Sequence, residues 1–173
     1  MTTAEVFLQI MILVQLYYKE YTMIRNIALV AHDARKSELI SWVRFNAGSL
    51  QSCRLYCTGT TGRLVSEALA EELGDKAPEV NRLLSGPLGG DAQIGAMIAE
   101  GKVDMLVFFC DNLIMQGHQN DVMGLVRLAS LYNIPFATNR STADFIISSP
   151  LYSDESYVRI IPSCIESYRT RKL

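Results

Sequence analysis

A three-layer α/β fold, with a mostly parallel five-stranded sheet between helices, is what this chain predicts. Three observations point to it. Short continuous apolar runs, clearest at Ile27-Ala28-Leu29-Val30-Ala31 and Met105-Leu106-Val107-Phe108-Phe109, have the length and composition of strands buried on both faces. Between the runs lie stretches in which apolar residues recur three and four apart, the spacing of amphipathic helices. The runs end in clusters of Gly, Thr, Ser and Asp, residues suited to the turn between a strand and a helix. Alternation of this kind implies right-handed βαβ crossovers and a parallel sheet covered on both sides.

Taken in order, the first 24 residues stand apart. Residues 6–16 are apolar but carry Gln9 and Gln15, are too short to span a bilayer, and lack the basic region and cleavage site of a secretory signal. They read as an N-terminal extension, either an added docking helix or sequence ahead of a functional start at Met23, with the domain over 25–173. The first strand, 27–31, leads through His32-Asp33 into a helix carrying Leu39, Ile40, Trp42 and Val43. Arg54-Leu55-Tyr56-Cys57 is the second strand; it leaves through Thr58-Gly59-Thr60-Thr61-Gly62 into a helix carrying Leu64, Val65, Ala68, Leu69 and Leu73. Residues 80–84 form the third, and Ser85-Gly86-Pro87-Leu88-Gly89-Gly90-Asp91 joins it to a helix through Ile94, Met97 and Ile98. The fourth strand exits through Cys110-Asp111 into a longer loop with His118 and Asp121. A helix over about 121–132, a fifth strand at 135–138 and a helix near 143–147 follow. Val158-Arg159-Ile160-Ile161 has the composition of one more short strand, before a C-terminal helix after Pro162.

Composition narrows the function. A chain of 173 residues, 49% hydrophobic and 20% charged, builds one domain with a sizeable core and is not disordered. A net charge of -2 leaves no electrostatic footprint for nucleic acid or an anionic membrane. Cys53, Cys57, Cys110 and Cys164 form no CxxC pair and have no histidine at zinc spacing. They read as buried free thiols in a reducing, cytoplasmic setting, and no metal site is expected.

His32, Asp33, Thr58, Thr60, Thr61, Ser85, Asp111, His118, Thr138 and Asn139 all fall at or just beyond the carboxyl ends of strands, where open α/β sheets bind ligands. Small hydroxyl residues beside two glycine-containing turns that open helices suit a phosphate. Neither GxGxxG nor GxxxxGK[ST] is present, so the expected ligand is a small phosphorylated molecule rather than a nucleotide. Residue by residue there are plainer roles. Asp33, Thr60, Thr61 and Asp91 are good helix caps, Lys36 suits a solvated surface, and His32 suits a satisfied strand end.

Together, Ala28-Leu29-Val30-Ala31-His32-Asp33 with Lys36, the turn 58–62, Ser85-Gly86-Pro87-Leu88-Gly89-Gly90-Asp91-Ala92-Gln93, and Ala137-Thr138-Asn139 with Thr142-Ala143-Asp144 closely resemble the methylglyoxal synthase family. Four motifs in order, from about Arg25 to the C-terminal region, carry the resemblance. It implies conversion of dihydroxyacetone phosphate to methylglyoxal and inorganic phosphate without metal or organic cofactor. It implies Asp91 as catalytic base, with Lys36, Thr58, Gly59, Thr60, Thr61, Ser85 and Gly86 holding the substrate phosphate. His32 and His118 would sit at the substrate, with Asp33 and Asp121 as supporting acids. It also implies a homohexamer regulated by phosphate. The alternative is a regulatory module of the same fold that binds a phosphorylated metabolite without turnover; Asp91 together with His32 and His118 favours the enzyme, because binding alone needs no base.

One loop departs from the family pattern. Cys110-Asp111-Asn112 stands where the family tends to have Trp-Asp-Pro, and Gly117-His118-Gln119-Asn120-Asp121 where it has Pro-His-Asp-Pro-Asp, so prolines that would stiffen the loop are missing. The first strand and every motif residue lie beyond residue 22. A chain begun at Met23 is therefore expected to be soluble and active; insolubility or lost turnover would show that the apolar run packs against the domain.

Overall fold

The computed structural model describes residues 25–113 and 119–171. Five strands, β1 (Asn26–Ala31), β2 (Arg54–Thr58), β3 (Val80–Leu83), β4 (Met105–Phe109) and β5 (Phe136–Ala137), make one sheet in the order β3-β2-β1-β4-β5. Every pairing is parallel; β1 lies at the centre, with Ile27 opposite both Leu55 and Met105. The helices are α1 (Lys36–Phe45), α2 (Ala47–Leu50), α3 (Gly59–Leu73), α4 (Gly90–Ala99), α5 (Gln119–Leu131), α6 (Arg140–Ile147), α7 (Pro150–Ser153) and α8 (Ser163–Thr170).

The period-two alternation of a strand assigns each apolar residue to a layer. Ile27, Leu29 and Ala31 of β1, with Met105, Val107 and Phe109 of β4, pack against α1, α2, α3 and α6. Ala28, Val30, Leu106 and Phe108 pack on the opposite face against Ile94 and Ile98 of α4 and Val122, Leu125 and Ala129 of α5. The split follows from handedness. Connections β1 to β2 to β3 step one way along the sheet and put α1 and α3 on one face. The return to β4 and β5 steps the other way and puts α4 and α5 on the other. The reversal lies between β1 and β4, so the ends of these strands form the crevice where such sheets take ligands.

Trp42 is the largest fully buried side chain, and its indole N–H donates to Asp144 Oδ1 at 2.9 Å, joining α1 to α6. At the other end of the sheet the Arg25 guanidinium donates to the carbonyls of Tyr152 (2.7 Å) and Leu151 (3.2 Å) and lies 5.5 Å from the Tyr152 ring centroid. That anchors the segment after α6 to the start of β1.

Three expectations need correction. Residues 158–161 are not a strand: no ladder forms there, Val158 and Ile160 are exposed, and the Ile160 carbonyl accepts from Asn133 Nδ2 at 3.0 Å. β-branched composition without a neighbouring strand makes no sheet. Cys164 is exposed on α8, while Cys53, Cys57 and Cys110 are buried; all four thiols are free. Burial pushes the Cys57 thiol up to about 12 and that of Cys110 up to about 11. The caps are also misplaced. Thr58 caps α3 and Gly89 caps α4, so Thr60, Thr61 and Asp91 lie inside first turns, and Asp33 begins a 3-10 turn that His32 caps.

Removing either partner of the Trp42–Asp144 bond tests the α1–α6 junction. Asp144→Ala is expected to lower stability to urea by about 1 kcal/mol, and Trp42→Phe by more, because it also leaves a void in the core. The double variant should lose less than the sum; strict additivity would place the bond outside the stabilising contacts.

Candidate active site

A cavity of about 650 Å³ opens across the carboxyl ends of the strands and is lined by every described residue that the family resemblance assigns to the site, but not by Asp111, Thr138 or Asn139. His118 lies outside the described residues.

Its floor begins with the first turn of α3. Gly59 adopts φ +42° and its N–H donates to the Leu84 carbonyl at 3.1 Å, so that N–H is committed to the fold. A Cβ at Gly59 would stand 2.9 Å from Ser85 Cα, which is why the turns after β2 and β3 can touch. The N–H groups of Thr60 and Thr61 lie in a helical turn that no earlier helical carbonyl precedes, at the end the cavity abuts. An anion is favoured there by both donors and dipole. Lys36 supplies the cation: its ammonium donates to Asp33 Oδ1 at 2.5 Å and to the Thr60 hydroxyl. The Lys36 bond and charge hold the Asp33 carboxyl below its usual range. Asp33 is 94% exposed and Lys36 21%, so the carboxylate stands at the rim and the ammonium further in.

Asp91 is placed by backbone geometry. Gly89 at φ +102° turns the chain into α4, and Gly90 passes so close to β3 that a Cβ would lie 2.0 Å from the Leu84 carbonyl oxygen. The next side chain, Asp91, is therefore carried into the cavity wall, where it is 2% exposed. Asp121, in the first turn of α5, closes the same cavity.

His32 follows β1. Its backbone N–H continues the ladder to the Phe109 carbonyl (3.2 Å), but its own carbonyl turns away to accept from Arg35 N (2.9 Å). The Asp111 N–H, which the parallel register would aim at that carbonyl, donates instead to His32 Nδ1 at 2.8 Å. A backbone N–H can only donate, so Nδ1 is the bare nitrogen and the neutral ring carries its proton on Nε2. Phe108 meets the ring edge-on, with centroids 5.1 Å apart. Sequence alone does not show these two contacts: Asp111 reads only as a polar strand end, and its N–H finds the imidazole only through the register of β1 on β4.

The arrangement brings the first turn of α3 with Lys36, the buried Asp91 side chain and the His32 ring to one cavity. That suits chemistry in which a carbon next to a carbonyl loses a proton while a phosphate is held in place. Among the described residues no group of three or more His, Cys, Asp or Glu side chains is placed to hold a metal ion, and no helix is long and apolar enough to cross a membrane.

Comparison with known proteins agrees with this geometry. The family model described as "MGS-like domain" matches residues 38–138. A methylglyoxal synthase of Proteus mirabilis (strain HI4320) is 54% identical over 136 residues, covering 79% of this chain and 85% of the relative. One from Maridesulfovibrio salexigens is 50% identical over 156 residues, covering 87% and 98%. The crystal structure of methylglyoxal synthase from Elizabethkingia anophelis NUHP1 superposes with a TM-score of 0.74 at 44% identity, covering 87% of this chain and 93% of that one. With a sheet, a cavity and relatives that agree, this chain belongs to the methylglyoxal synthase family.

Proposed function

We propose that the cavity converts dihydroxyacetone phosphate to methylglyoxal and inorganic phosphate, with Asp91 as the base. The observation that carries this reading is the buried Asp91 carboxylate in the same cavity as the anion cradle. A module that only binds phosphate gains nothing from a second buried anion beside the first. The names of the relatives point to the same product.

The phosphate sits on the first turn of α3, with the Lys36 ammonium, the Thr60 hydroxyl and the Ser85-Gly86 turn around it. Asp91 takes a proton from the hydroxymethyl carbon, and the C–H electron pair becomes the carbon–carbon π bond of an enediolate. The developing oxyanion accepts from the proton that His32 carries on Nε2, a donor fixed in advance by the Asp111 N–H. The hydroxyl on the deprotonated carbon then becomes a carbonyl, its proton leaving to the surroundings. The π bond shifts by one carbon, and the C–O bond to phosphate breaks with its electron pair on the phosphate. The enolate so formed takes a proton on its terminal carbon to become methylglyoxal, and Asp91 gives its proton up to the surroundings.

The second step needs that C–O bond out of the enediolate plane, so the cradle sets the outcome by fixing a torsion. The supporting roles of Asp33, Asp121 and His118 belong to this proposal, as do phosphate as an inhibitor, a homohexamer and a cytoplasmic setting.

Purified protein incubated with dihydroxyacetone phosphate should release methylglyoxal and phosphate in equal amounts; binding without turnover would favour the regulatory module. Asp91→Asn keeps the size and removes the basic oxygen, so kcat should fall by about 10²–10⁴-fold with the fold intact. Near-normal turnover in that variant would leave Asp91 structural. Lys36→Met should weaken substrate and inorganic phosphate together, because one cradle serves both. Unchanged phosphate inhibition would return Lys36 to the surface.

A further inference from the structure

The rung that closes the β1–β4 ladder is made by a side chain, and the residue supplying its N–H has a role of its own. Asp111 is buried, and besides donating its N–H to His32 Nδ1 at 2.8 Å it accepts the Leu113 N–H on Oδ1 at 3.0 Å, an Asx turn. On the other side of β4 the preceding residue is still bound to the chain after β5: Cys110 N–H donates to the Thr138 carbonyl at 3.3 Å. Beyond it the chain must leave the sheet, and the turn fixes the direction in which it leaves.

We infer that Asp111 is a positioning residue for His32: its Asx turn with Leu113 holds the chain leaving β4 so that the Asp111 N–H locks the imidazole with its proton on Nε2. Three observations support this assignment. The His32 carbonyl is occupied by Arg35 N–H, so the imidazole nitrogen is the acceptor that keeps the buried Asp111 N–H satisfied. The ring is restrained by the edge of Phe108 as well, so a change in the tether acts on the tautomer more than on the ring's place. Leu113 is 96% exposed, so when the turn is removed its N–H can pass to water and the fold loses little. The side chain of Asp111 thus acts on its own N–H, and through it on a nitrogen across the sheet.

The consequence for turnover rests on the reaction proposed above, so the test separates the two. The chain has two histidines, and loss of one signal in His32→Gln assigns the other in nitrogen-15 spectra. In the parent protein His32 should show a single Nε2–H tautomer. Asp111→Ala should give averaged tautomers and a kcat lower by on the order of tenfold with KM little changed, a smaller loss than the 10²–10³ for removing an oxyanion donor outright. Asp111→Asn, whose amide oxygen accepts the same bond, should recover the single tautomer and most of the lost kcat. Asp111→Glu, one methylene too long for the turn, should behave as the Ala variant does and replaces it if that variant does not fold. In a His32→Gln background Asp111→Ala should cost nothing further.

An unchanged tautomer in both the Ala and Glu variants would overturn the inference. So would equal losses in the Ala and Asn variants that track a lower Tm. A changed tautomer with unchanged kcat would overturn the link to turnover and the donor role of His32, while the base and cradle stand or fall separately with Asp91→Asn.

Discussion

The backbone of Leu84 is held from three directions, and the cavity depends on that. Its carbonyl accepts the Gly59 N–H at 3.1 Å and its N–H donates to Gln93 Oε1 at 2.9 Å. Gly90 crosses it with no room for a Cβ. One residue just beyond β3 thereby joins the turn after β2, the turn after β3 and the first turn of α4. The first and second of these turns line the cavity, and the third carries Asp91 into its wall. The distance between cradle and carboxylate is thus set by backbone hydrogen bonds and contacts, which are stiffer than any side-chain pairing. Glycine at 59 and 90 is required by contact distance: a methyl group at either would push two of the three turns apart.

Electrostatics in the cavity are local. A net charge of -2 gives the molecule no excess of positive charge to collect anions, so in the proposed reaction the attraction comes from the end of α3 and from Lys36. Lys36 is held by Asp33 and Thr60, which reduces the rotamer freedom it would lose on meeting a phosphate. The same Asp33 partly cancels its charge. In the proposed reaction a partly neutralised Lys36 would hold a phosphate dianion less tightly than a bare one, which suits a site that releases phosphate at each turnover. Asp33 being almost fully exposed, its hold on Lys36 is softened by solvent and salt.

Much of the fold was legible because it is written in short-range patterns. β1 and β4 are continuous apolar runs whose alternate residues serve the two faces, and α1 and α3 carry apolar residues at helical spacing. Residues 158–161 misled because the same β-branched composition suits any extended segment, and whether it pairs depends on a neighbour that local sequence does not name. The caps misled for a related reason. Thr60, Thr61 and Asp91 are residues that cap helices well, yet α3 and α4 begin earlier, at Gly59 and Gly90, where contacts with Ser85 and Leu84 start the helices.

By itself the sequence determined which residues gather at the carboxyl ends of the strands, and through its motifs the family, because strand order and handedness leave few ways to arrange alternating strands and helices. What each residue does there was decided by tertiary structure. Gly59 reads as a phosphate donor in sequence, but its N–H is taken by Leu84, and its contribution is the missing Cβ. Asp111 reads as a polar strand end, yet it sets the proton on His32 across a strand boundary 79 residues away. The reason is geometric. A motif names side chains, whereas a backbone N–H belongs to every residue but proline, and only the register of two strands decides which acceptor it meets.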